Sequence, residues 1–105
     1  MFSHNAGKAF EEFLQRTVLK GVIGRNVKLL TKSKNTVDFE LENVLVEAKH
    51  TMRIDEDQLA AIAQGAKERS KDFWYVFVQK PGEATIQKIK DAGGKVGWFL
   101  DETDN

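Results

Sequence analysis

The sequence has no cysteine, a single proline and no excess of charge of either sign. The absence of cysteine excludes disulfides, thiolate metal sites and a cysteine nucleophile. No apolar run approaches the roughly 18–20 residues of a membrane-spanning helix, and the first residues lack the basic and then apolar pattern of a signal peptide. The balance of 16 basic against 16 acidic residues argues against a simple basic coat for nucleic acid. We therefore expect a small globular protein without a membrane span.

The composition that is present predicts one domain over residues 1–105, with a single hydrophobic core. Hydrophobic residues make up 41% of the chain and charged residues 30%, which is ordinary for a globular protein. The charge is unevenly distributed, because residues 1–35 hold seven Lys or Arg and two Glu, whereas residues 36–65 hold seven Asp or Glu and two Lys or Arg. An acidic centre beside a basic N-terminal third suits a metal-dependent site for a polyanion. It also suits an ordinary protein whose charges cluster.

Apolar periodicity and turn residues predict eight elements in the order α-β-β-β-α-β-α-β. Amphipathic patterns predict helices at residues 5–19, 55–66 and 83–92. Segments rich in β-branched and aromatic residues predict strands at residues 26–31, 36–41, 44–49, 73–78 and 96–100. The aromatic residues of the last two strands are expected in the core. This order predicts a mixed sheet flanked by helices, of class α/β or α+β.

The second and third strands are predicted to form a hairpin with its turn at Glu42-Asn43. A two-residue turn fixes which residues face each other. Side chains alternate between the two faces of a strand, so one face of the hairpin carries three apolar pairs: Leu41 and Val44, Phe39 and Val46, and Val37 and Ala48.

The other face of the hairpin places Asp38 opposite Glu47, with Lys49 two residues further along the same side. Like charges that face each other destabilise an antiparallel pair, so this pair favours a cation between the two carboxylates. Hard divalent cations prefer oxygen ligands, and such an ion supplies what phosphodiester hydrolysis needs, a neutralised phosphate and an activated water. Asp38, Glu47 and the carbonyl of Ala48 are the predicted ligands. Lys49 is predicted to orient or deprotonate the water, or to stabilise charge on the phosphate.

Two helix residues can join this site. Glu11 lies about 100° round the first helix from the buried Phe10, at the border of the apolar stripe. Gln58 has the same relation to Leu59 on the second helix. Each has an ordinary alternative, since Glu11 can be a surface residue and Gln58 can complete a capping box with Asp55. The Glu47-x-Lys49 pair can likewise be a solvated pair on an exposed strand.

These residues, in this element order, resemble the PD-(D/E)XK nucleases of the restriction-endonuclease-like fold. Val37-Asp38 stands at the first half of the motif, with Val in place of Pro, and Glu47-Ala48-Lys49 matches the second half. The stretch from Gly7 to Glu11 resembles the Gly-x-x-Phe-Glu start of the first helix in the resolvase-like and bacterial toxin branches. Gln58-Leu59 resembles the Gln-Leu that opens their second helix. The resemblance covers residues 5–100.

The resemblance implies an αβββαβ core with an added αβ unit and a divalent metal, with Mg²⁺ as first choice and Mn²⁺ or Zn²⁺ as alternatives. It implies the catalytic residues Asp38, Glu47, Lys49, Glu11 and Gln58, and the metal ligands Asp38, Glu47, Ala48 and Glu11. Basic residues expected near a nucleic-acid backbone are Lys8, Arg16, Lys20, Arg25, Lys28, Lys32 and Lys34.

The branch most similar to this chain comprises the C-terminal toxin domains of bacterial contact-dependent inhibition and polymorphic toxin systems. The expected function is therefore a DNA endonuclease delivered into the cytoplasm of a target bacterium, with a cognate immunity protein as partner and further chain upstream of Met1. A toxin RNase acting on tRNA is an alternative. A cytoplasmic junction resolvase or repair nuclease, and a non-catalytic binding domain on the same scaffold, are the others.

Overall fold

A computed structural model describes residues 2–29 and 35–101 of the protein. The described residues form three helices, α1 (Phe2–Thr17), α2 (Glu56–Glu68) and α3 (Glu83–Asp91). They form five strands, β1 (Gly24–Lys28), β2 (Thr36–Glu40), β3 (Val44–Lys49), β4 (Asp72–Gln79) and β5 (Lys95–Leu100). The predicted element order is confirmed, and so is the mixed α+β class.

The five strands form one sheet in the order β1-β2-β3-β4-β5. β2 is antiparallel to both of its neighbours, β1 and β3, whereas β3, β4 and β5 run parallel to one another. A parallel pair needs a long crossover connection, and α2 and α3 supply the two crossovers. The sheet is therefore mixed, as the sequence predicts, with β3 at the junction between its antiparallel and parallel halves.

Element boundaries differ from the prediction mainly at α1, predicted at residues 5–19 and observed at Phe2–Thr17, and at the start of the sheet. β1 begins at Gly24, two residues before the predicted start, and ends at Lys28. Asn26 within it has a positive φ of 52°, a conformation that Asn adopts more readily than most residues. Residues 30–34, which include Lys32, Lys34 and the end of the predicted first strand, lie outside the described residues.

Helix α2 begins where the sequence predicts. Asp55 is its N-cap, and its side chain accepts hydrogen bonds from the amides of Asp57 and Gln58 at 2.8 and 3.2 Å. These bonds satisfy two of the backbone donors that a helix start leaves without partners. The cap fixes the first turn of α2, and this turn carries Gln58.

The main core includes α2, α3 and the strands they cover. Its wholly buried members are Val37, Leu45, Ile62, Tyr75, Phe77 and Ile89. Helix α1 contacts β3 and contributes the buried Phe10 and Leu14. The successive residues Leu45 and Val46 are both buried, so β3 is covered on its two faces.

Two expectations about the core are wrong at the far side of the sheet. Trp98 and Phe99 are 36% and 45% exposed, and Leu100 is 59% exposed. The reason is that β5 is an edge strand, with a neighbouring strand on one side only. Helical spacing places Phe13 and Val18 on the same apolar stripe of the predicted first helix as Phe10, but they too are exposed, at 42% and 49%. Within residues 2–29 and 35–101, no helix is long and apolar enough to cross a membrane.

Candidate functional site

The hairpin register places the two carboxylates of Asp38 and Glu47 on neighbouring strands. Phe39 pairs with Val46, and the amide of Leu41 donates to the carbonyl of Val44 at 2.8 Å. Both pairs follow the predicted register, in which Asp38 and Glu47 come next. The predicted pair of Val37 with Ala48 is not among the ladder pairs, and Val37 lies in the main core.

Side chains bridge the strands where the regular ladder ends. The amide of Asp38 donates to Oε1 of Glu47 at 3.1 Å, and the amide of Ala48 donates to Oδ2 of Asp38 at 2.8 Å. Each carboxylate is thus held by a backbone donor of the opposite strand. This exchange fixes both carboxyl groups at one point of the hairpin.

Gln58 holds the Glu47 carboxylate from the other side. Its Nε2 donates to Oε2 of Glu47 at 2.9 Å and to the carbonyl of Thr36 at 3.2 Å. The capping-box alternative is half correct, because Asp55 caps the helix. The Gln58 side chain, however, contacts the carboxylate site. Gln58 is therefore a supporting group behind Glu47.

Burial makes this pair of carboxyl groups electrostatically unusual. Glu47 is only 5% exposed. Burial, and then the charge of Asp38, raise the pKa of Glu47 far above its ordinary value. Burial also raises the pKa of Asp38, and the charge of Glu11 adds to this effect. Near neutral pH Glu47 therefore retains a proton that an exposed carboxylate would lose, whereas Asp38, whose pKa rises to about 6, is mostly ionised.

Tyr75 forms part of the buried surroundings of Glu47. The two residues are register partners on β3 and β4, and Tyr75 is 0% exposed. Its hydroxyl is buried and has no hydrogen-bond partner among the described residues. Burial and the charge of Glu47 raise the pKa of Tyr75. An unpaired buried hydroxyl beside a buried carboxyl group is costly for folding.

A cleft of about 380 Å³ opens over the carboxylates. Five of the predicted site residues line it: Glu11, Asp38, Glu47, Ala48 and Lys49. Gln58 is not part of the lining. The lining also includes His50 and two of the basic residues expected near a nucleic-acid backbone, Lys8 and Arg25. The cleft therefore joins the predicted carboxylates to basic groups from α1, β1 and the end of β3.

Lys49 is the cation nearest in sequence to the carboxylates, and it lowers the pKa of both. It is half-buried. In residues 2–29 and 35–101 no carboxylate lies within ion-pair distance of its ammonium group. Its amine is therefore free to contact a group bound in the cleft.

Glu11 reaches the cleft but has a partner there. Its Oε1 accepts from Nη2 of Arg25 at 2.9 Å, and its side chain is 23% exposed. Glu12 is exposed, as the helix geometry predicts. Over the described ranges, no three carboxylate or histidine side chains converge as a ready-made metal site. The role of Glu11 as a metal ligand therefore stays a prediction.

The donor atoms of the Asp38–Glu47 pair nevertheless fit a hard divalent cation. Two carboxylates and nearby backbone carbonyls are the ligand type that Mg²⁺ and Mn²⁺ prefer. Burial raises the pKa of both carboxyl groups, and a bound cation would lower it again because it stabilises the ionised form.

His50 is exposed and lines the cleft. A Cβ atom at Gly7 would lie 3.0 Å from Nδ1 of His50, so the imidazole occupies space that only glycine leaves open. A glycine inside a helix costs about 1 kcal/mol relative to alanine. The presence of a glycine inside the helix was therefore the only feature of the sequence that indicated a close approach of another side chain to Gly7.

Known proteins give no direct guide to this site. No protein-family model matches the chain, and neither a curated protein nor a solved structure matches it. The likeness to PD-(D/E)XK nucleases therefore remains a prediction from motifs and element order.

Proposed function

We propose that the protein is a metal-dependent nuclease that hydrolyses phosphodiester bonds, with DNA as our first choice of substrate. The observation that carries this proposal is the pair formed by the buried Glu47 and the half-buried Asp38, beside the free amine of Lys49 in an open cleft. Burying two like charges is unfavourable for folding, and strongly perturbed pKa values in a cleft are typical of functional sites. The pair therefore has a use outside the stability of the fold.

Asp38, Glu47 and the backbone carbonyl of Ala48 would hold the cation, with Glu11 available if it leaves Arg25. Mg²⁺ is the first choice, and Mn²⁺ or Zn²⁺ would suit the same donors less specifically. When bound, the cation supplies charge neutralisation at the phosphate and a water of lowered pKa.

The remaining roles belong to side chains of the chain itself. Lys49 would contact the attacking water or a phosphate oxygen, because its amine lies beside both carboxylates without an ion-pair partner. Gln58 is a positioning residue, since its amide fixes the Glu47 carboxylate at 2.9 Å. In the reaction the oxygen of water bonds to phosphorus and the bond from phosphorus to one sugar oxygen breaks. The released sugar oxygen takes a proton.

We also propose that this activity serves as a toxin effector with a cognate immunity protein. The support for this part is the likeness of residues 7–11 to the first helix of bacterial toxin branches. Induced expression in a bacterial host tests it. Wild type should stop growth, and Lys49→Ala should not. A housekeeping nuclease would be tolerated in both forms.

Cleavage assays test the enzymatic proposal directly. Purified wild type, Lys49→Ala and Lys90→Ala are incubated with plasmid DNA or total tRNA, in Mg²⁺, Mn²⁺, Zn²⁺ or EDTA. Lys90 is the matched control, because it is an exposed lysine on α3 that does not line the cleft. Metal-dependent cutting that is lost only in Lys49→Ala supports the nuclease, and the substrate that is cut distinguishes DNA from tRNA. No cutting of either by wild type would favour a non-catalytic binding domain.

A further inference from the structure

We propose that Arg25 is the residue of the cleft that binds the substrate phosphate, and that Glu11 and Gln15 hold it in position for this contact. The inference rests on the proposed nuclease function, and it singles out one of the basic residues that the sequence left unranked. It assigns the ligand chemistry as a phosphodiester oxygen of a nucleic acid.

The guanidinium of Arg25 is fixed from helix α1 by two hydrogen bonds. Nη1 donates to Oε1 of Gln15 at 2.6 Å, and Nη2 donates to Oε1 of Glu11 at 2.9 Å. Both acceptors lie on α1, one turn apart, so they grip the two terminal nitrogens. Arg25 therefore has a defined position at the edge of the cleft although its side chain is 36% exposed.

An aromatic ring fixes the plane of the same guanidinium. Cζ of Arg25 lies 4.6 Å from the ring centroid of Phe39, and the two residues are register partners on β1 and β2. Phe39 is wholly buried, so the ring that the guanidinium covers is itself immobilised by the core. Stacking of this kind limits the rotation of arginine and favours a planar group over an ammonium.

Arg25 retains donors for a ligand after these contacts. A guanidinium has five N–H donors, and two hydrogen bonds from Arg25 are found within the described residues. The fork geometry of arginine matches two oxygens of one phosphate. Because Arg25 lines the same cleft as Asp38, Glu47 and Lys49, its free donors lie at the site where a scissile phosphate must enter.

Charge also explains why a phosphate would be accepted there. The lining has three carboxylates, Glu11, Asp38 and Glu47, and the cations Lys8, Arg25 and Lys49. The three cations balance the three carboxylates, and a divalent cation held by the Asp38–Glu47 pair would leave an excess of positive charge that attracts an anion.

A purely structural role for Arg25 makes a different prediction. An ion pair with partners 36% and 23% exposed contributes at most about 1 kcal/mol to stability. If the only role of Arg25 were to connect β1 to α1, removing the Gln15 side chain would affect nucleic-acid binding in the same way as removing that of Arg25. The two roles are therefore separable with variants of two neighbouring side chains.

The test measures binding of a fluorescein-labelled DNA duplex and of a labelled tRNA by anisotropy, in EDTA so that no cleavage occurs. We expect Arg25→Gln to weaken binding about tenfold or more and to reduce the slope of log affinity against log salt by about one. Arg25→Lys should bind with intermediate affinity, since it keeps the charge and loses the fork. Lys90→Gln removes an equal charge at an exposed position of α3, outside the cleft, and should cost about threefold or less. Gln15→Ala leaves the guanidinium held by Glu11 and Phe39, so it should weaken binding less than Arg25→Gln does.

Circular dichroism melts accompany each variant, so that a loss of binding is compared only among folded proteins. Equal weakening by Arg25→Gln and Gln15→Ala, or by Arg25→Gln and Lys90→Gln, would overturn the assignment. Wild type that cleaves in metal but whose affinity is unchanged by Arg25→Gln would overturn it and leave the nuclease standing. Wild type that neither cleaves nor binds would overturn both.

Discussion

Charged residues usually lie at the surface of a protein and large apolar residues inside it. Two depressions on this protein depart from that rule in opposite ways. The cleft over Asp38 and Glu47 buries charged groups, and its volume is about 380 Å³. A second depression of about 320 Å³, here called the apolar groove, is lined almost entirely by hydrophobic side chains, including Val46, Trp74 and Phe99. The N-terminal half of α1 borders the cleft, whereas Val18 and Leu19, just beyond its end, border the groove.

The carboxyl groups of the cleft are more informative about function than the exposed apolar side chains of the groove. Exposed apolar residues are common on ordinary protein surfaces, and an edge strand explains those of the groove. A buried pair of carboxyl groups is rare and unfavourable. The cleft holds its pair with hydrogen bonds from the Asp38 and Ala48 amides and from Gln58. This organisation supports the cleft, and not the groove, as the functional region.

The largest expected difference between the cleft and the apolar groove is in their effect on catalysis. Glu47→Gln preserves the shape of the side chain but removes its charge, so we expect kcat/KM for the cleaved nucleic acid to fall by about 10³-fold. Circular dichroism should show the same fold. Retention of wild-type activity would place the chemistry outside the cleft.

The second effect is stabilisation of the folded protein by metal. A cation that binds the folded state at 100 times its dissociation constant adds about 2.7 kcal/mol to the free energy of unfolding. We expect Mg²⁺ or Mn²⁺ to raise the melting temperature of wild type, measured by scanning calorimetry.

The control for metal stabilisation is Asp38→Asn, compared with Asp72→Asn at an exposed position of β4. Asp38→Asn should lose the metal-induced shift, and Asp72→Asn should keep it. Equal shifts in all three proteins would mean that the metal binds elsewhere.

Much of this arrangement can be predicted from the sequence, because short-range rules fix it. The two-residue turn and the alternation of apolar residues determine the register that brings Asp38 and Glu47 to adjacent strands. Helical spacing places Glu11 and Gln58 at the borders of their apolar stripes. The Asp55 cap fixes the start of α2. Each inference depends on residues close together in the chain.

The rest depends on contacts between distant segments, which no local pattern contains. Arg25 meets Glu11 across 14 positions of sequence, and His50 meets Gly7 across a larger separation. The exposure of Trp98 follows from the position of β5 at the sheet edge, which the apolar run of the strand does not encode. Aromatic content alone therefore misplaced β5 in the core.

The third effect is a dependence of stability on pH in EDTA. The folded state raises the pKa of both Glu47 and Asp38, so it binds more protons than the unfolded chain. The stabilisation is complete below the ordinary carboxyl range and is lost as pH rises through the raised values. We expect urea denaturation to show a loss of about 2 kcal/mol between about pH 5 and pH 8. Metal should reverse the trend, since it binds the ionised pair.

A smaller effect is expected from neutralising one member of the pair. Asp38→Asn keeps an oxygen for the Ala48 amide and presents an NH₂ group that can donate to Glu47. It also relieves the repulsion from Glu47 and Glu11. The metal-free variant should gain about 1 kcal/mol in the free energy of unfolding. A loss of similar size would show that the carboxyl form of Asp38 contributes to folding.

The smallest effect belongs to the apolar groove. Trp98 is 36% exposed. Its Nε1 donates to Oδ1 of Asp101 at 3.1 Å, and Nζ of Lys80 lies 5.6 Å from its ring centroid. Trp98→Gln should therefore change the free energy of unfolding by about 0.5 kcal/mol or less and leave nuclease activity unchanged. The buried comparison is Leu45→Ala, for which about 2–5 kcal/mol is expected. If Trp98→Gln destabilised the protein as much as Leu45→Ala, the groove would belong to the core, and the contrast between the two depressions would fail.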